Sequence, residues 1–405
     1  GSLANPYNTI AGLPTQQNRI YLLKSGTTIK EDLGPLLNGD GNEIGCYGTG
    51  ALPNIDFSTL ATGFTFNATY GIWQKNIAIT EFGNATEDGV PLRAIQWGAS
   101  NNIATIGPLM TAGSVAFDRD NTILYIKPTA GSFTDHQYRY SAGLYCIRSN
   151  NSNKNNVIQD IFVRMASRHG ISLYNKKRVK IKNVHGGILG GYWESGRADY
   201  LGNGIELSAG CIGAEVIDCE MNDVWDSPFT SQLYETAASI MHAHYYYNIK
   251  ANRFGLCGLE ISTPSNNSNQ KIRNITCEWG EFTNGNTAQW MNKGAGVGVS
   301  AVSSLCNGSV LDKSCSITEV YFSKIRAKNV GRLWSTSNTQ GSCYLLDSVG
   351  DNMQQYDLRK VVDTAKFNPQ VDVVSRVNII NSTGVVSELG GTFTYNDNFE
   401  LMVNF

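Results

Sequence analysis

A short strand pattern recurs along the chain, in which apolar and polar residues alternate and the run closes on a small polar residue. Alternation with a period of two places successive side chains on opposite faces of an extended strand. Short strands that return every few tens of residues, without helical segments between them, are typical of a solenoid. Copies of the pattern begin at Asp160, Arg178, Glu215, Asn248, Lys271 and Glu319.

A second short strand, which opens on glycine, follows several of these copies and starts at Gly170, Gly204 and Gly258. Aligned on that opening, successive turns of the solenoid, here called coils, carry at one equivalent position Ser172, Glu206, Thr230 and Glu260. Adjacent parallel strands lie about 4.8 Å apart, so Glu206 and Glu260 are expected roughly 10 Å apart at the backbone.

The chain divides by pattern into a lead-in, a solenoid body and terminal coils with a cap, at residues 3–60, 61–330 and 331–405. Within the body, residues 76–79 and 102–106 are predicted to be two strand repeats. Residues 113–128 alternate as two runs separated by a polar turn, which predicts a hairpin inserted on the flank of the solenoid. Residues 236–244 are the best candidate for a short helix.

Composition narrows the function classes. Only 16% of the 405 residues are charged and the net charge is -2, which gives no electrostatic basis for binding nucleic acid. No apolar run is long enough to span a bilayer, so membrane insertion is not predicted, and no signal peptide is evident. The 9 cysteines are scattered and include no Cys-x-x-Cys pair, which argues against a zinc site. Mostly free thiols are expected, which suggests that the protein assembles in a reducing cytoplasm.

Three segments resemble right-handed parallel β-helix proteins of the pectate-lyase-like type. They are residues 47–56, residues 113–126, and residues 203–206 leading to residues 224–226 and Gln232. The resemblance, which covers residues 15–265, implies an all-β right-handed parallel β-helix with an inserted hairpin and a terminal cap.

Members of this group cut or modify polysaccharides, and they include the tailspike depolymerases of bacteriophages. The resemblance therefore implies a bacterial polysaccharide as substrate and a location in a phage tail or outside the cell. It also implies a homotrimer, as in tailspikes, and no cofactor is predicted.

Three carboxylates are the candidate catalytic residues: Glu206, Asp226 and Glu260. Charged residues are scarce in this chain, and Glu206 alternates with Ile205 and Leu207. Alternation turns the carboxylate away from the core, onto a face expected to be open to solvent. Paired carboxyls are the catalytic groups of most glycosidases, about 6.5–9.5 Å apart in inverting enzymes and about 5–5.5 Å apart in retaining ones. A solvated charge on a strand surface is the competing interpretation of each.

A long excursion at residues 186–202 leaves the coil just before Glu206 and is the candidate substrate wall. Aromatic rings stack on sugar faces, and arginine and carboxylate side chains bind hydroxyls or a uronate. A loop that packs its own aromatics on the flank is the alternative. The candidate substrate-binding residues are Tyr192, Trp193, Glu194, Arg197 and Asp199 in this loop, with Gln232, His242 and Tyr246 outside it.

The sequence pattern does not decide which way the histidines and tyrosines outside this loop point. His242 and His244 share a side only on an extended strand, so no metal site is predicted from them. In the run of residues 245–247, Tyr246 points opposite to its neighbours, so one side belongs to the core and the other to a groove.

The preferred function is endo-glycosidic hydrolysis of a bacterial capsule or O-antigen. A polysaccharide lyase or epimerase is the first alternative, using Arg197 or a lysine; the basic run at residues 176–178 is expected to be a solvated edge. No compact aspartate cluster suits calcium, which favours hydrolysis. A non-catalytic carbohydrate-binding adhesin and a structural cap are the remaining alternatives.

Overall fold

The computed structural model describes most of the chain, with gaps in loops and near the termini. The described residues are 9–10, 13–14, 16–95, 102–194, 199–233, 240–263, 270–285, 302–307, 316–339, 341, 343–355, 358–362, 371–382, 386–389 and 392–395. Of these, only the backbone is described at residues 193–194, 199–201, 302–303, 305, 307, 316, 361, 371 and 392–395.

The fold is a right-handed parallel β-helix, which confirms the expectation from the resemblance. The described strands of the β-helix form two long parallel sheets, one of seventeen strands and one of nine. A coil contributes one strand to the nine-stranded sheet and one or two strands to the larger one. The right-handed course agrees with the strong handedness of parallel crossover connections.

The first coil contains β1 (Ile20–Lys24) and β2 (Thr28–Ile29), and the second contains β3 (Glu43–Tyr47) and β4 (Asn54–Asp56), which pair in parallel with β1 and β2. A 3-10 helix at Gly34–Leu37 begins with Pro35 in its first turn and buries Leu36 and Leu37 in the core. Asp32 receives the backbone N–H of Gly34 at 2.8 Å, which fixes the start of this turn.

An inserted unit then interrupts the β-helix. Its elements are β5 (Ser58–Leu60), β6 (Thr65–Asn67), β7 (Ile72–Asn76), β8 (Ala85–Glu87), β9 (Val90–Pro91), β10 (Arg93–Ala94), α1 (Ile103–Ile106), 3-10 helices at Gly107–Leu109 and Phe133–Asp135, β11 (Ser114–Asp118), β12 (Ile123–Lys127) and β13 (Tyr138–Ser141). The predicted hairpin is confirmed, with Phe117 opposite Leu124 in the antiparallel β11–β12 pair.

Two details of the inserted unit correct the sequence analysis. The strand predicted at residues 102–106 is wrong: α1 forms there because the Asn102 side chain accepts the backbone N–H groups of Ala104 and Thr105. The inserted unit is also larger than the predicted hairpin: the hairpin lies in a five-stranded, mostly antiparallel sheet, and a four-stranded antiparallel sheet shares its core. The sequence pattern did not show this extent, because apolar alternation does not distinguish a parallel coil from an antiparallel strand.

The inserted unit packs directly on the β-helix. Trp225, from the β-helix, is buried within the apolar core of the inserted unit. Gly191 has a φ of 97°, and a Cβ there would lie 1.9 Å from the carbonyl oxygen of Gly83. Glycine is therefore required where the two backbones meet.

The body of the β-helix resumes after the inserted unit. The strands of the body are β14 (Gly143–Ser149), β15 (Val157–Arg164), β16 (Ala166–Tyr174), β17 (Lys180–Leu189), β20 (Ile205–Ser208), β21 (Glu215–Ile217), β22 (Glu220–Val224), β23 (Phe229–Gln232), β24 (Ile240–Phe254), β25 (Cys257–Ser262), β26 (Lys271–Thr283), β27 (Val302–Asn307) and β28 (Ser316–Ser323). A separate antiparallel hairpin, β18 (Tyr192–Glu194) and β19 (Asp199–Leu201), leaves the coil between β17 and β20.

The coils continue toward the C-terminus through a further set of strands. These are β29 (Arg326–Lys328), β30 (Trp334–Ser337), β31 (Cys343–Leu346), β32 (Val349–Asp351), β33 (Leu358–Val361), β34 (Val371–Ser375), β35 (Asn378–Ile380), β36 (Val386–Leu389) and β37 (Thr392–Tyr395). None of the described helices is long and apolar enough to cross a membrane.

Stacked ladders hold the coils together. One inward ladder of fully buried side chains runs in register through Ile158, Ile181, Val216, Tyr246, Cys277, Phe322, Leu345 and Val374. At one corner, Asn329 donates to Asn284 and Asn352 donates to Asn329, both at 2.9 Å. These asparagines have φ between 52° and 58°, a left-handed conformation that asparagine tolerates better than most residues.

Candidate active site

The outward positions of β16, β20, β23 and β25 form one polar surface, here called the carboxylate face. Its residues are Ser172, Tyr174, Glu206, Ser208, Thr230, Gln232, Glu260 and Ser262. The predicted register is confirmed: Ser172 pairs with Glu206, Glu206 with Thr230, and Thr230 with Glu260. Ile205 and Leu207 are fully buried in the core, so Glu206 points away from it, as alternation predicted.

The expected exposure of this face to solvent is wrong. Glu206 is 2% exposed, Glu260 6% and Asp226 9%. Strand alternation gives the direction of a side chain but does not reveal what covers the surface it reaches. These carboxylates are therefore buried polar groups that need hydrogen-bond partners, and not solvated surface charges.

Glu206 accepts four hydrogen bonds. Its Oε1 atom receives the hydroxyls of Ser172 at 3.3 Å and Tyr174 at 3.1 Å. Its Oε2 atom receives the side-chain amide of Asn203 at 3.0 Å and lies 3.2 Å from Nε2 of His169. Burial, followed by the negative charge of Glu206, raises the pKa of Tyr174, which keeps that phenol a donor. An ionised carboxylate accepts all four contacts, whereas a proton on Oε2 would oppose the N–H donors of Asn203 and His169.

Hydrogen bonding defines the tautomer of His169, the histidine whose Nε2 contacts Glu206. The backbone N–H of Asn203 donates to His169 Nδ1 at 2.9 Å, so that nitrogen is an acceptor and the proton resides on Nε2. Nε2–H then donates to Glu206 from a neutral imidazole. Sequence reasoning did not select His169, although it directly precedes Gly170, one of the glycines on which the coils align.

Glu260 has a different set of partners. Its Oε2 atom receives the Ser227 hydroxyl at 3.0 Å and the Gln232 side-chain amide at 2.6 Å. The structure thus brings Gln232, predicted to bind substrate, onto Glu260. Asp226 directly precedes Ser227, and its backbone N–H donates to the carbonyl of Gly202 at 3.0 Å.

A short relay of hydrogen bonds joins the two glutamates across the intervening coil. The Asn203 amide donates to Glu206, and Asn203 Oδ1 receives the backbone N–H of Ser227 at 3.3 Å. The Ser227 hydroxyl in turn donates to Glu260. The positions of Glu206 and Glu260 are therefore mechanically linked through two neutral side chains.

The side chains of both glutamates lean toward the preceding coil, because that coil holds several of their hydrogen-bond partners. Ser172 and Tyr174 bond to Glu206, and Ser227 and Gln232 bond to Glu260. Parallel leaning leaves their two-coil separation of roughly 10 Å nearly unchanged. The separation is closer to the inverting than to the retaining spacing of glycosidase carboxyls.

Hydroxyl and amide oxygens between and beside the glutamates lack partners. Of the buried side-chain atoms that the structure describes, four on the carboxylate face make no hydrogen bond: Ser208 Oγ, Thr230 Oγ1, Gln232 Oε1 and Ser262 Oγ. Each of these residues is at most 1% exposed. An unpaired buried oxygen is costly, and such groups in native proteins commonly await water or a ligand.

Tyr192 lies in a group of aromatic and basic side chains on the N-terminal side of Glu206. The guanidinium groups of Arg119 and Arg168 stand 5.9 Å and 5.8 Å from the centre of its ring. Arg168 also stands 5.8 Å from the ring of Tyr145, which lies 5.6 Å from the ring of His169. Tyr192, Arg119 and Arg168 are half-buried, so this group borders the buried carboxylate face with partly accessible side chains.

The rest of the predicted substrate wall is only partly described. The β18–β19 hairpin pairs Trp193 with Tyr200 and Glu194 with Asp199, but the side chains of Trp193, Glu194 and Asp199 lie outside the described residues. Arg197 lies outside them altogether.

Tyr246 is not available to a substrate. It is fully buried in register with Val216 and Cys277, and its hydroxyl bonds to Ser231 at 2.7 Å inside the core. The groove assignment is wrong because the inward ladder takes the middle tyrosine of the run, while Tyr245 and Tyr247 stack on each other on the other side.

His242 is half-buried on β24, an extended strand that includes the C-terminal part of the segment predicted as a helix. Ala243 has a φ of 58°, so the chain turns a corner between His242 and His244. His244 points into the core, where its Nδ1 bonds to Ser231 at 2.8 Å and its Nε2 to the carbonyl of Cys211 at 2.9 Å. Burial lowers the pKa of His244 to about 4.

The basic run at residues 176–178 is not a uniform solvated edge. Lys176 is fully buried and donates to the carbonyl of Leu37 at 3.1 Å, and burial lowers its pKa to about 8. Lys177 and Arg178 are exposed. Lys176 therefore has a structural role and does not reach a substrate groove.

No protein-family model matches the chain, and no curated protein sequence matches it. Its fold is similar to that of a solved glycoside hydrolase, at 7% identity and a TM-score of 0.58 over 94% of this chain and 89% of the other. The fold is also similar to that of a GH136 lacto-N-biosidase from Eubacterium ramulus, at 11% identity and a TM-score of 0.52 over 98% of this chain and 64% of the other. An exopolygalacturonase from Thermotoga maritima is similar at 9% identity and a TM-score of 0.51, over 93% of this chain and 83% of the other. These similarities confirm the β-helix fold.

Proposed function

We propose that the chain is an endo-glycosidase that hydrolyses a bacterial surface polysaccharide, either a capsule or an O-antigen. One observation carries the proposal: two glutamates stand in register two coils apart, with unpaired hydroxyl and amide oxygens between and beside them. This combination supplies two acid–base groups and a polar strip suited to sugar hydroxyls. The named activities of the glycoside hydrolase and the polygalacturonase with similar folds support the same reaction class.

Glu206 is proposed as the general base. Four donors surround it, which suits a carboxylate that is ionised before the reaction. In this role Glu206 takes a proton from a water molecule, whose oxygen attacks the anomeric carbon as the glycosidic bond breaks.

Glu260 is proposed as the general acid. Its Oε2 atom receives the Ser227 hydroxyl and the Gln232 side-chain amide, which hold the carboxyl group in place two coils from Glu206. In this role Glu260 gives a proton to the leaving glycosidic oxygen. Asp226 stays the second candidate for either role, because the adjacent Ser227 bonds to Glu260. A separation near 10 Å favours inversion at the anomeric carbon.

The half-buried group around Tyr192 is proposed as the entry to the site. Its ring offers a stacking surface, and Arg119 and Arg168 beside it suit sugar hydroxyls or acidic substituents. Trp193, Glu194, Arg197 and Asp199 remain predicted substrate contacts on the same excursion, and His242 remains a prediction without a described contact to the glutamates.

The resemblance noted in the sequence supports a phage-tail location and a homotrimer. Light scattering on the purified chain checks the assembly directly: a mass three times 44.2 kDa is expected. A monomer would contradict the homotrimer without bearing on the chemistry.

A non-catalytic carbohydrate-binding function is the second candidate. It is favoured by one observation, namely that Glu206 is 2% exposed and fully supplied with donors, as a structural carboxylate would be. A lyase or epimerase is the third, because Arg119 and Arg168 could neutralise a uronate.

Product analysis on a panel of capsular and lipopolysaccharide glycans separates these functions. New reducing ends without ultraviolet absorbance of unsaturated uronates are expected. Absorbance would establish a lyase. Binding without cleavage, measured by glycan-array capture of the same preparation, would establish the binding module and overturn the hydrolase.

A further inference from the structure

Three potential metal ligands meet in the inserted unit, far along the chain from the glutamates of the carboxylate face. Glu87 ends β8, Asp88 occupies the following turn with a φ of 51°, and His136 follows the 3-10 helix at Phe133–Asp135. His136 Nδ1 lies 2.7 Å from Asp88 Oδ2 and 3.4 Å from Glu87 Oε1. One ligand atom from each residue falls within 4.8 Å of the others.

The second nitrogen of His136 is already committed. Nε2 lies 2.9 Å from the carbonyl oxygen of Ala130, which can only accept, so Nε2 carries a hydrogen. Nδ1 therefore faces two carboxylates and needs a positive charge between itself and them. A proton or a metal ion meets that need, and a backbone carbonyl on the distal nitrogen is the usual support of a metal-binding histidine.

Both carboxylates are also held in place by groups outside the cluster. The backbone N–H and the hydroxyl of Thr129 donate to Glu87 Oε2 at 3.0 Å and 2.9 Å. The backbone N–H of Gln137 donates to Asp88 Oδ1 at 2.8 Å, which leaves Oδ2 toward the histidine. The three candidate ligand atoms are thus fixed by separate elements of the inserted unit.

We propose that Glu87, Asp88 and His136 bind a divalent transition-metal ion of the Zn²⁺ type. One imidazole nitrogen with two carboxylate oxygens suits Zn²⁺ better than Ca²⁺, which prefers six to eight oxygen ligands. The Asp88 side chain is 54% exposed, so water has access to a fourth position. The bound ion would tie the β8–β9 turn to the segment before β13, and it is independent of the proposed hydrolase chemistry.

Isothermal titration of chelator-treated protein with Zn²⁺ and with Ca²⁺ at pH 7.5 tests the site. One equivalent of Zn²⁺ per chain is expected, with no comparable Ca²⁺ binding. His136→Gln and Asp88→Asn are each expected to lose that equivalent. The matched control is His185→Gln, which alters a half-buried histidine 3.9 Å from one carboxylate, Glu220, and should bind like the unaltered chain.

Circular dichroism on each variant checks folding, and visible absorption of added Co²⁺ reports ligation without any activity measurement. Absence of Zn²⁺ binding by the unaltered chain would overturn the proposal and leave an ion pair with a protonated imidazole. Equal binding by the unaltered chain and His136→Gln would overturn it as well.

Discussion

Charged side chains on the two outer surfaces of the β-helix differ in their exposure to solvent and in their partners. On the seventeen-stranded sheet, Lys180 pairs with Glu215 at 3.3 Å and Lys250 with Glu281 at 3.7 Å, and all four side chains are 44–53% exposed. On the carboxylate face, Glu206 is buried and its described partners are all neutral.

This difference separates ordinary surface carboxylates from candidate functional ones. Exposed pairs between neighbouring coils contribute only about 0–1 kcal/mol each and are ordinary surface features. Buried carboxylates are costly unless their surroundings are arranged for them, and proteins keep such arrangements at functional sites. Burial and neutral donors, rather than the mere presence of glutamate, single out the carboxylate face.

The largest expected effect comes from the same substitution made on both surfaces. Glu206→Gln and Glu260→Gln should each lower kcat by about 10²–10⁴-fold, because each removes one acid–base group. Glu215→Gln, on the seventeen-stranded sheet, should leave kcat unchanged. Reducing-end release on the substrate found in the glycan panel measures all three. Equal kcat for Glu206→Gln and Glu215→Gln would remove the distinction between the surfaces.

The core is a third environment, in which the buried His244 should make the free energy of unfolding depend on pH. The folded chain protonates His244 only below about pH 4, whereas the unfolded chain does so below its ordinary pKa of 6.5. The unfolded state therefore binds more protons in this window, and the free energy of unfolding should fall by roughly 3 kcal/mol as the pH drops through it.

Urea unfolding at pH 7, 5.5 and 4 measures this dependence. His244→Gln should lose that part of the pH dependence, while His185→Gln, on the outer surface, should keep it. Parallel pH profiles for the unaltered chain and His244→Gln would show that the buried imidazole is not the cause.

The relay between the glutamates gives a smaller effect on stability. Asn203→Ala should reduce the free energy of unfolding by about 1–3 kcal/mol, since it leaves buried groups unpaired. The control is Asn222→Ala, whose amide donates to the partly exposed Glu220 at 2.8 Å on the outer surface of β22. It should cost less than about 1 kcal/mol, because both groups can bond to water instead.

A double-mutant cycle of Asn203→Ala with Glu206→Ala then measures the coupling of the two side chains that bond directly at the start of the relay, expected at about 0.5–3 kcal/mol. Additive losses would mean that the Asn203 amide does not support Glu206.

The smallest stability effect is the most diagnostic of ligand binding. Thr230→Val removes an unpaired buried hydroxyl, so the free energy of unfolding should stay within about 1 kcal/mol of the unaltered chain or rise. Weaker substrate binding, seen as a higher KM, is expected if that hydroxyl contacts a sugar. Thr336→Val is the control: its hydroxyl donates to the buried Asp372 at 2.6 Å, so it should lose stability. An unchanged KM for Thr230→Val would exclude the hydroxyl from the sugar site.

The register of the carboxylate face was predictable because the period of two and the stacking of parallel strands repeat from coil to coil. Alignment on the glycine openings placed Glu206, Thr230 and Glu260 correctly. The same alignment contains the missed residues, since His169, Asn203 and Ser227 each lie three positions before the aligned row of Ser172, Glu206 and Thr230. Residues three places ahead of the carboxylate row were therefore within reach of the sequence.

Other features depend on tertiary contacts that a local pattern does not contain. Alternation predicted two faces for the tyrosine run, but only the pairing with Val216 and Cys277 decides that Tyr246 is buried. The same ambiguity hid the extent of the inserted unit, whose alternating strands pair with each other and not with the next coil. Burial of Lys176 depends on the carbonyl of Leu37, a residue 139 positions away.

The anomeric configuration of the first released product tests the central claim most directly, that two glutamates two coils apart act as base and acid on one glycosidic bond. Proton NMR during the first turnovers on the identified polysaccharide records it. An inverted anomer is expected, and Glu206→Gln should release it about 10²–10⁴-fold more slowly. Retention of configuration would contradict the two-coil separation, and inverted product from Glu206→Gln at the unaltered rate would contradict the assignment of the site.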